Sequence, residues 1–180
     1  SVVIRGKYVL TSILGTPPPA PPPNVPALKE NDESGRNATT LRARLALHRE
    51  AATCSTCHSV MDPLGLALEN FDAVGRWRTK DNNKPVDAVS EFTTHEGQLV
   101  RLTGPRDIVN YVASNPSGHR AFIRQLFNHF VKQQPLAYGP QTLEDLQKSF
   151  AASSFNVQKL LVDLALVAVM NGREMKSATP

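Results

Sequence analysis

Thr53-Cys54-Ser55-Thr56-Cys57-His58-Ser59-Val60-Met61-Asp62-Pro63-Leu64-Gly65 holds both cysteines of the chain and spells C-x-x-C-H across Cys54, Cys57 and His58. This is the pattern by which c-type haem is attached. Two thiols at this spacing each add to a vinyl group on one edge of a porphyrin, and the adjacent histidine then falls beneath the iron as proximal ligand. Competing chemistries fit less well. Structural zinc wants four tetrahedral N or S ligands, whereas neighbouring Cys57 and His58 side chains diverge and no further cysteine exists. A thioredoxin-like pair follows a strand and opens a helix, yet no hydrophobic strand precedes Cys54. A disulfide would use the thiols and leave His58 without a role. One covalent haem c per chain, held by Cys54, Cys57 and His58, is the expectation.

Upstream of this stretch, Thr39 or Thr40 caps a helix from Leu41 to Glu50, with Leu41, Leu45 and His48 on one stripe; His48 reads as a packed or surface histidine. Residues 29–39 are polar and loop-like. The run Pro17 to Pro26 is a stiff polyproline II strap or tether, and residues 1–16 form a short amphipathic helix on Ile4, Tyr8 and Val9 that stops at Gly15. The expected organisation is an N-terminal helix and proline-rich arm over 1–38 and a haem c-binding helical domain over 39–180.

Downstream run Met61-Asp62-Pro63-Leu64-Gly65, Leu68-Glu69-Asn70-Phe71-Asp72 and Gly75-Arg76-Trp77-Arg78. With the Arg5-Gly6-Lys7 opening, the proline run, Gly104-Pro105 and the final helices, these resemble the C-terminal haem domain of the large planctomycete-type cytochrome proteins, an uncharacterised exported family. The resemblance implies a small helical c-type cytochrome-like domain and a haem, and it implies no particular reaction.

From Thr79 to Thr103 short β-like pieces, Val86–Val89 and Gln98–Leu102, flank a turn at Glu96-Gly97, so a small β-hairpin or irregular flap is expected. Helices follow: one opened by Gly104-Pro105, one opened by Pro116-Ser117 with Phe122, Leu126, His129 and Phe130 on one face, one capped by Thr142, and one capped by Asn156. The fold class is mostly α.

The 180 residues carry a formal charge of +4 and are 41% hydrophobic but only 6% aromatic, so a haem would supply much of the central apolar surface. The basic residues form no block, which argues against nucleic acid as partner. The longest apolar stretch, Leu160 to Met170, is interrupted by Asp163 and too short for a membrane span. Ser1 follows neither an initiator methionine nor a signal peptide, so the chain is expected to be a processed protein or a piece of a longer one. C-type haem attachment takes place outside the bacterial cytoplasm, which points to an exported, periplasmic or cell-surface location.

The sixth iron ligand decides reactivity. Met61 emerges on the same side of the porphyrin as His58 and reads as packing. His129 is favoured over His119, Met170 and Met175, with His95 last. Arg76, Trp77 and Arg78 are candidates for binding the haem propionates, because arginine pairs with carboxylates in a planar fork and the indole N–H adds a donor. Glu69, Asp72 and Asp87 read as caps or salt-bridge partners. Electron transfer to a redox partner protein or an upstream domain is the leading function. A haem enzyme or sensor with an open distal site, served by Arg76 or His95 as acid, is the alternative, and a haem-stabilised cell-surface binding module is the third reading.

Overall fold

The chain forms two units, Ser1–Ala113 and Ser114–Pro180, in a computed structural model that describes residues 1–20, 40–50 and 52–171. The polar loop, the proline run beyond Ala20, Met175 and the expected 38/39 boundary lie outside the described residues. The fold is mostly helical with two small antiparallel sheets, as the sequence predicts.

In the first unit, helix α1 (Val2–Tyr8) continues into wider π-type turns over Val9–Leu14 and ends where Gly15 takes the left-handed conformation, φ 68°. Helix α2 is Leu41–His48, and the Thr40 hydroxyl accepts a hydrogen bond from the Ala43 N–H at 3.2 Å, which resolves the expected cap. On its stripe Leu45 is buried and Leu41 partly so, while the His48 side chain lies outside the described atoms. Helix α3, Ala52–Leu66, carries the C-x-x-C-H motif and crosses α1 at close range. A Cβ built on Gly6 would stand 1.9 Å from the Met61 carbonyl oxygen, and one on Gly65 would stand 2.0 Å from the Val2 carbonyl oxygen. Two glycines, one per helix, let the backbones touch.

This contact turns α1 away from its expected orientation. Ile4 and Tyr8 are exposed, and the face that packs is Val2, Gly6, Val9, Leu10 and Leu14. Val9 packs as expected, but glycine carries no hydrophobic signal, so the periodicity alone misplaces Ile4 and Tyr8. The core joins Leu10 and Leu14 to Met61, Leu64, Phe92, Leu102 and Ile108, and each fully buried leucine contributes about 2 kcal/mol.

After α3, a loop closes on itself through an Asn70–Arg78 backbone bond of 2.7 Å and an edge-to-face contact of Phe71 with Trp77 at 5.3 Å. Strands β1 (Lys80–Asp81) and β2 (Lys84–Pro85) pair across Asn82-Asn83, both with positive φ, 46° and 61°. Asparagine tolerates that conformation, which makes this the two-residue turn that fits the twist of a hairpin.

The expected flap is present with its turn where predicted: Thr94 and Gln98 close it, with Gly97 at φ 81°. Its outgoing strand is β4 (Leu99–Leu102), but the incoming strand is β3, Ser90–Thr93, rather than Val86–Val89. Register settles the difference. Phe92 faces the core opposite Val100, and the Ser90 hydroxyl donates to the Pro63 carbonyl at 2.8 Å. The carbonyls of Asp87 and Val89 instead accept from the Arg42 guanidinium. Helix α4, Pro105–Ser114, adds Ile108 to this core and sets Tyr111 edge-on to Phe92 at 5.8 Å.

The second unit comprises α5 (Pro116–Val131), a 3₁₀ turn (Pro135–Tyr138), α6 (Thr142–Ala152) and α7 (Val157–Asn171) around Ile123, Phe127, Leu146, Phe150, Leu160 and Leu164. Asn115 caps α5 by accepting from the Ser117 N–H at 2.7 Å, and Asn156 caps α7 by accepting from the Lys159 N–H at 3.0 Å. Gln141 holds the position before α6 expected of Thr142, which is instead the first helical residue. The face of α5 that packs is Ala121, Ile123 and Phe127, with Leu126 packed beside them as expected; Phe122, His129 and Phe130, expected on the same stripe, are exposed. Among the described residues no helix is long and apolar enough to cross a membrane.

Candidate haem-binding site

A helix brings residues i, i+3 and i+4 to one face, so α3 presents Cys54, Cys57 and His58 together. That face continues into Met61, Leu64 and Gly65, buried against α1 and the hairpin. The chemistry-bearing end of α3 is thereby anchored by its core-bearing end. Cys54 and Cys57 are half-buried, without a disulfide between them, and Cys57 packs against the edge of the core.

His58 is held by the next turn of its own helix. Its Nδ1 lies 3.0 Å from Asp62 Oδ1, and its side chain is 13% exposed. A carboxylate only accepts, so this contact places the proton on Nδ1 and makes Nε2 the basic nitrogen. Asp62 itself is fully buried; its second oxygen has no hydrogen-bond partner, and the nearest cation is Arg49, Nε at 3.8 Å. Sequence reading missed Asp62. The signal was present as the i, i+4 spacing from His58, inside a motif that was quoted for its resemblance alone.

A second polar cluster fixes the far end of α3. Arg5 donates to the carbonyls of Leu68 and Phe71 at 3.0 and 2.7 Å and to Glu69 Oε2 at 2.9 Å. It ties down the turns that follow the helix, where the Leu68 carbonyl also accepts from the Phe71 N–H at 2.9 Å. Burial and, after it, the charge of Arg78 lower the Arg5 guanidinium below its ordinary value. Arg78 pairs with Glu69 and, at 3.1 Å, with Asp81. Arg78 thus has structural partners of its own. Arg76 reaches Asp72 at 2.8 Å with its side chain 80% exposed, and Trp77 is exposed beside it. Glu69, Asp72 and Asp87 all act as salt-bridge partners, as read from sequence.

Met61 is buried in the first core. In the second unit His129 is exposed beside Phe130, ring centroids 5.2 Å apart, and His119 is half-buried against Phe155 at 4.6 Å. Met170 and His95 are exposed. Among the described residues no three His, Cys, Asp or Glu side chains gather as a bare metal ion would require.

The residues present fit a c-type haem. Two thiols stand at the attachment spacing, and the adjacent imidazole is oriented through Nδ1 by a carboxylate, the usual arrangement of a metal-ligating histidine.

Residues 1–81 match the family described as PSCyt3, protein of unknown function (DUF1588). The family carries a cytochrome-type name and no assigned activity. The matched segment runs from α1 through the attachment motif to β1; Gly104-Pro105 and the final helices, included in the resemblance read from sequence, lie outside it. No curated protein and no solved structure matches the chain.

Proposed function

We propose that the chain is an electron-transfer domain carrying one covalent haem c on Cys54 and Cys57, with His58 as proximal ligand. The observation that carries this reading is the 3.0 Å contact of His58 Nδ1 with a buried carboxylate on the helix that bears both thiols. When bound, the haem supplies a one-electron couple. The chain's part is to hold the imidazole in one tautomer and rotamer, so that little rearranges as charge changes. The α1–α3 crossing serves the same end by fixing the helix beneath it. In this reading the protein is exported, since haem attachment occurs outside the cytoplasm, and its partner is a redox protein or another domain of its precursor. Arg76 is the arginine we assign to the propionates, because its side chain is 80% exposed and meets, among the described residues, only Asp72, whereas Arg78 is half-buried between Glu69 and Asp81.

The test is the mass of the denatured protein, produced in a host competent in cytochrome c maturation. One added haem is expected, and an unmodified mass overturns the proposal. Cys54→Ser and Cys57→Ser each weaken attachment, and His58→Ala abolishes the low-spin spectrum. The proposal of His129 as sixth ligand stands on the sequence. His129→Ala is expected to give high-spin, carbon-monoxide-reactive iron, and His119→Ala to leave the spectrum as it was.

A further inference from the structure

Burying a carboxylate costs several kcal/mol unless charge and hydrogen bonds repay it, and the two buried carboxylates of the first unit are repaid unequally. Glu69 is met by two arginines. Asp62, with no exposure at all, has among the described residues one hydrogen-bonding partner, His58, and a single cation at 3.8 Å. A hydrogen bond to a charged group contributes about 1.5–3 kcal/mol, less than the several kcal/mol that burying the ion costs, so the local contact alone does not account for the burial. An imidazole whose other nitrogen is bound to a metal is a stronger donor, and its carboxylate partner raises its basicity as a ligand.

We infer that Arg49, Asp62 and His58 form a relay that sets the reduction potential of the iron, Asp62 being a positioning residue that lowers it and Arg49 a counterweight that raises it. The inference rests on the proposed haem reading. Asp62 Oδ1 accepts the Nδ1 proton of His58, which leaves more electron density on the ring and favours the oxidised iron. Arg49, facing the other carboxylate oxygen, draws charge away from that bond. No proton leaves the relay and no bond to the iron is made or broken; the couple exchanges one electron with its partner.

The experiment uses the haem-loaded full chain and compares Asp62→Asn, Asp62→Glu and Arg49→Gln by midpoint potential and by the ring ¹⁵N shifts of His58 in the ferrous state. Asp62→Asn is expected to raise the potential and weaken the Nδ1 hydrogen bond seen by NMR, and Asp62→Glu to return both toward the wild type. Arg49→Gln is expected to lower the potential, and to lose most of that effect in the Asp62→Asn background. A merely structural role predicts shifts of one sign, as either change admits water. Equal signs, or no shift with the haem in place, overturn the relay and leave the haem assignment standing; an unmodified mass of the wild-type chain overturns the assignment itself. If Asp62→Asn does not fold, Arg49→Gln still decides, because an unchanged or raised potential overturns the relay.

Discussion

Glu69 is 5% exposed and lies between Arg5 and Arg78. Removing one partner of a buried pair costs about 3–5 kcal/mol, and the partly exposed arginines put Arg78→Leu near the lower end, about 3 kcal/mol by urea unfolding. Arg76→Leu, on a side chain 80% exposed, should stay within about 0.5 kcal/mol. Under the proposed haem reading its expected effect is a lower reduction potential, because the cation assigned to the propionates is removed; an unchanged potential would place them elsewhere. One triplet therefore splits into a half-buried arginine with two carboxylate partners and an exposed one paired with Asp72. Sequence reading sends the two arginines one way and allows that one serves while the other is solvated, but which one has carboxylate partners depends on the fold. Cys54, Cys57 and His58 were legible as a candidate set because C-x-x-C-H is a pattern in sequence alone, and one helix carries all three. Asp62 was not, since its burial is created by α1 and the hairpin, far away in the chain.

At the level of elements, α1 and α3 meet through Gly6 and Gly65, each standing where a methyl group would strike backbone. Backbone cannot swing aside as a side chain can, so Gly6→Ala or Gly65→Ala should reach or exceed the upper end of the 1–3 kcal/mol usual for overpacking, about 3 kcal/mol. Thermal unfolding followed by circular dichroism checks it, and a change under about 0.5 kcal/mol would show that the helices part freely. The small hairpin offers a test of opposite sign. Asn83 has φ 61°, so Asn83→Gly should be neutral or stabilising, whereas Asn83→Val should cost about 1–2 kcal/mol. The helices of the second unit were legible because prolines and asparagines punctuate them. The facing of α1 and α5 was not, because which side of an apolar helix packs depends on what it meets.

Across the whole molecule, carboxylates held below their ordinary range occur in both units. In the first, Asp72 is lowered chiefly by the Arg76 N–H and Asp107 chiefly by the Thr103 hydroxyl. In the second, burial raises Asp163, but hydrogen bonds from Lys159 and Ser149 outweigh it and the net shift is downward. A carboxylate depressed in the folded state adds stability above its unfolded value and loses it as pH falls through the folded one. Urea midpoints should therefore fall as pH drops below about 4, and Asp163→Asn should flatten part of that dependence. A midpoint constant down to about pH 3 would contradict this. The Arg5 contacts also bear on how fast each unit forms. Arg5 bonds to groups 63, 64 and 66 positions along the chain, whereas Ser149 and Asp163, which tie α6 to α7, are 14 apart. Distant contacts repay chain closure only after it has been accomplished, and such folds form slowly. The unit bearing the thiols is expected to be the later to lock, and under the proposed haem reading that delay is the interval in which an attachment enzyme reaches Cys54 and Cys57.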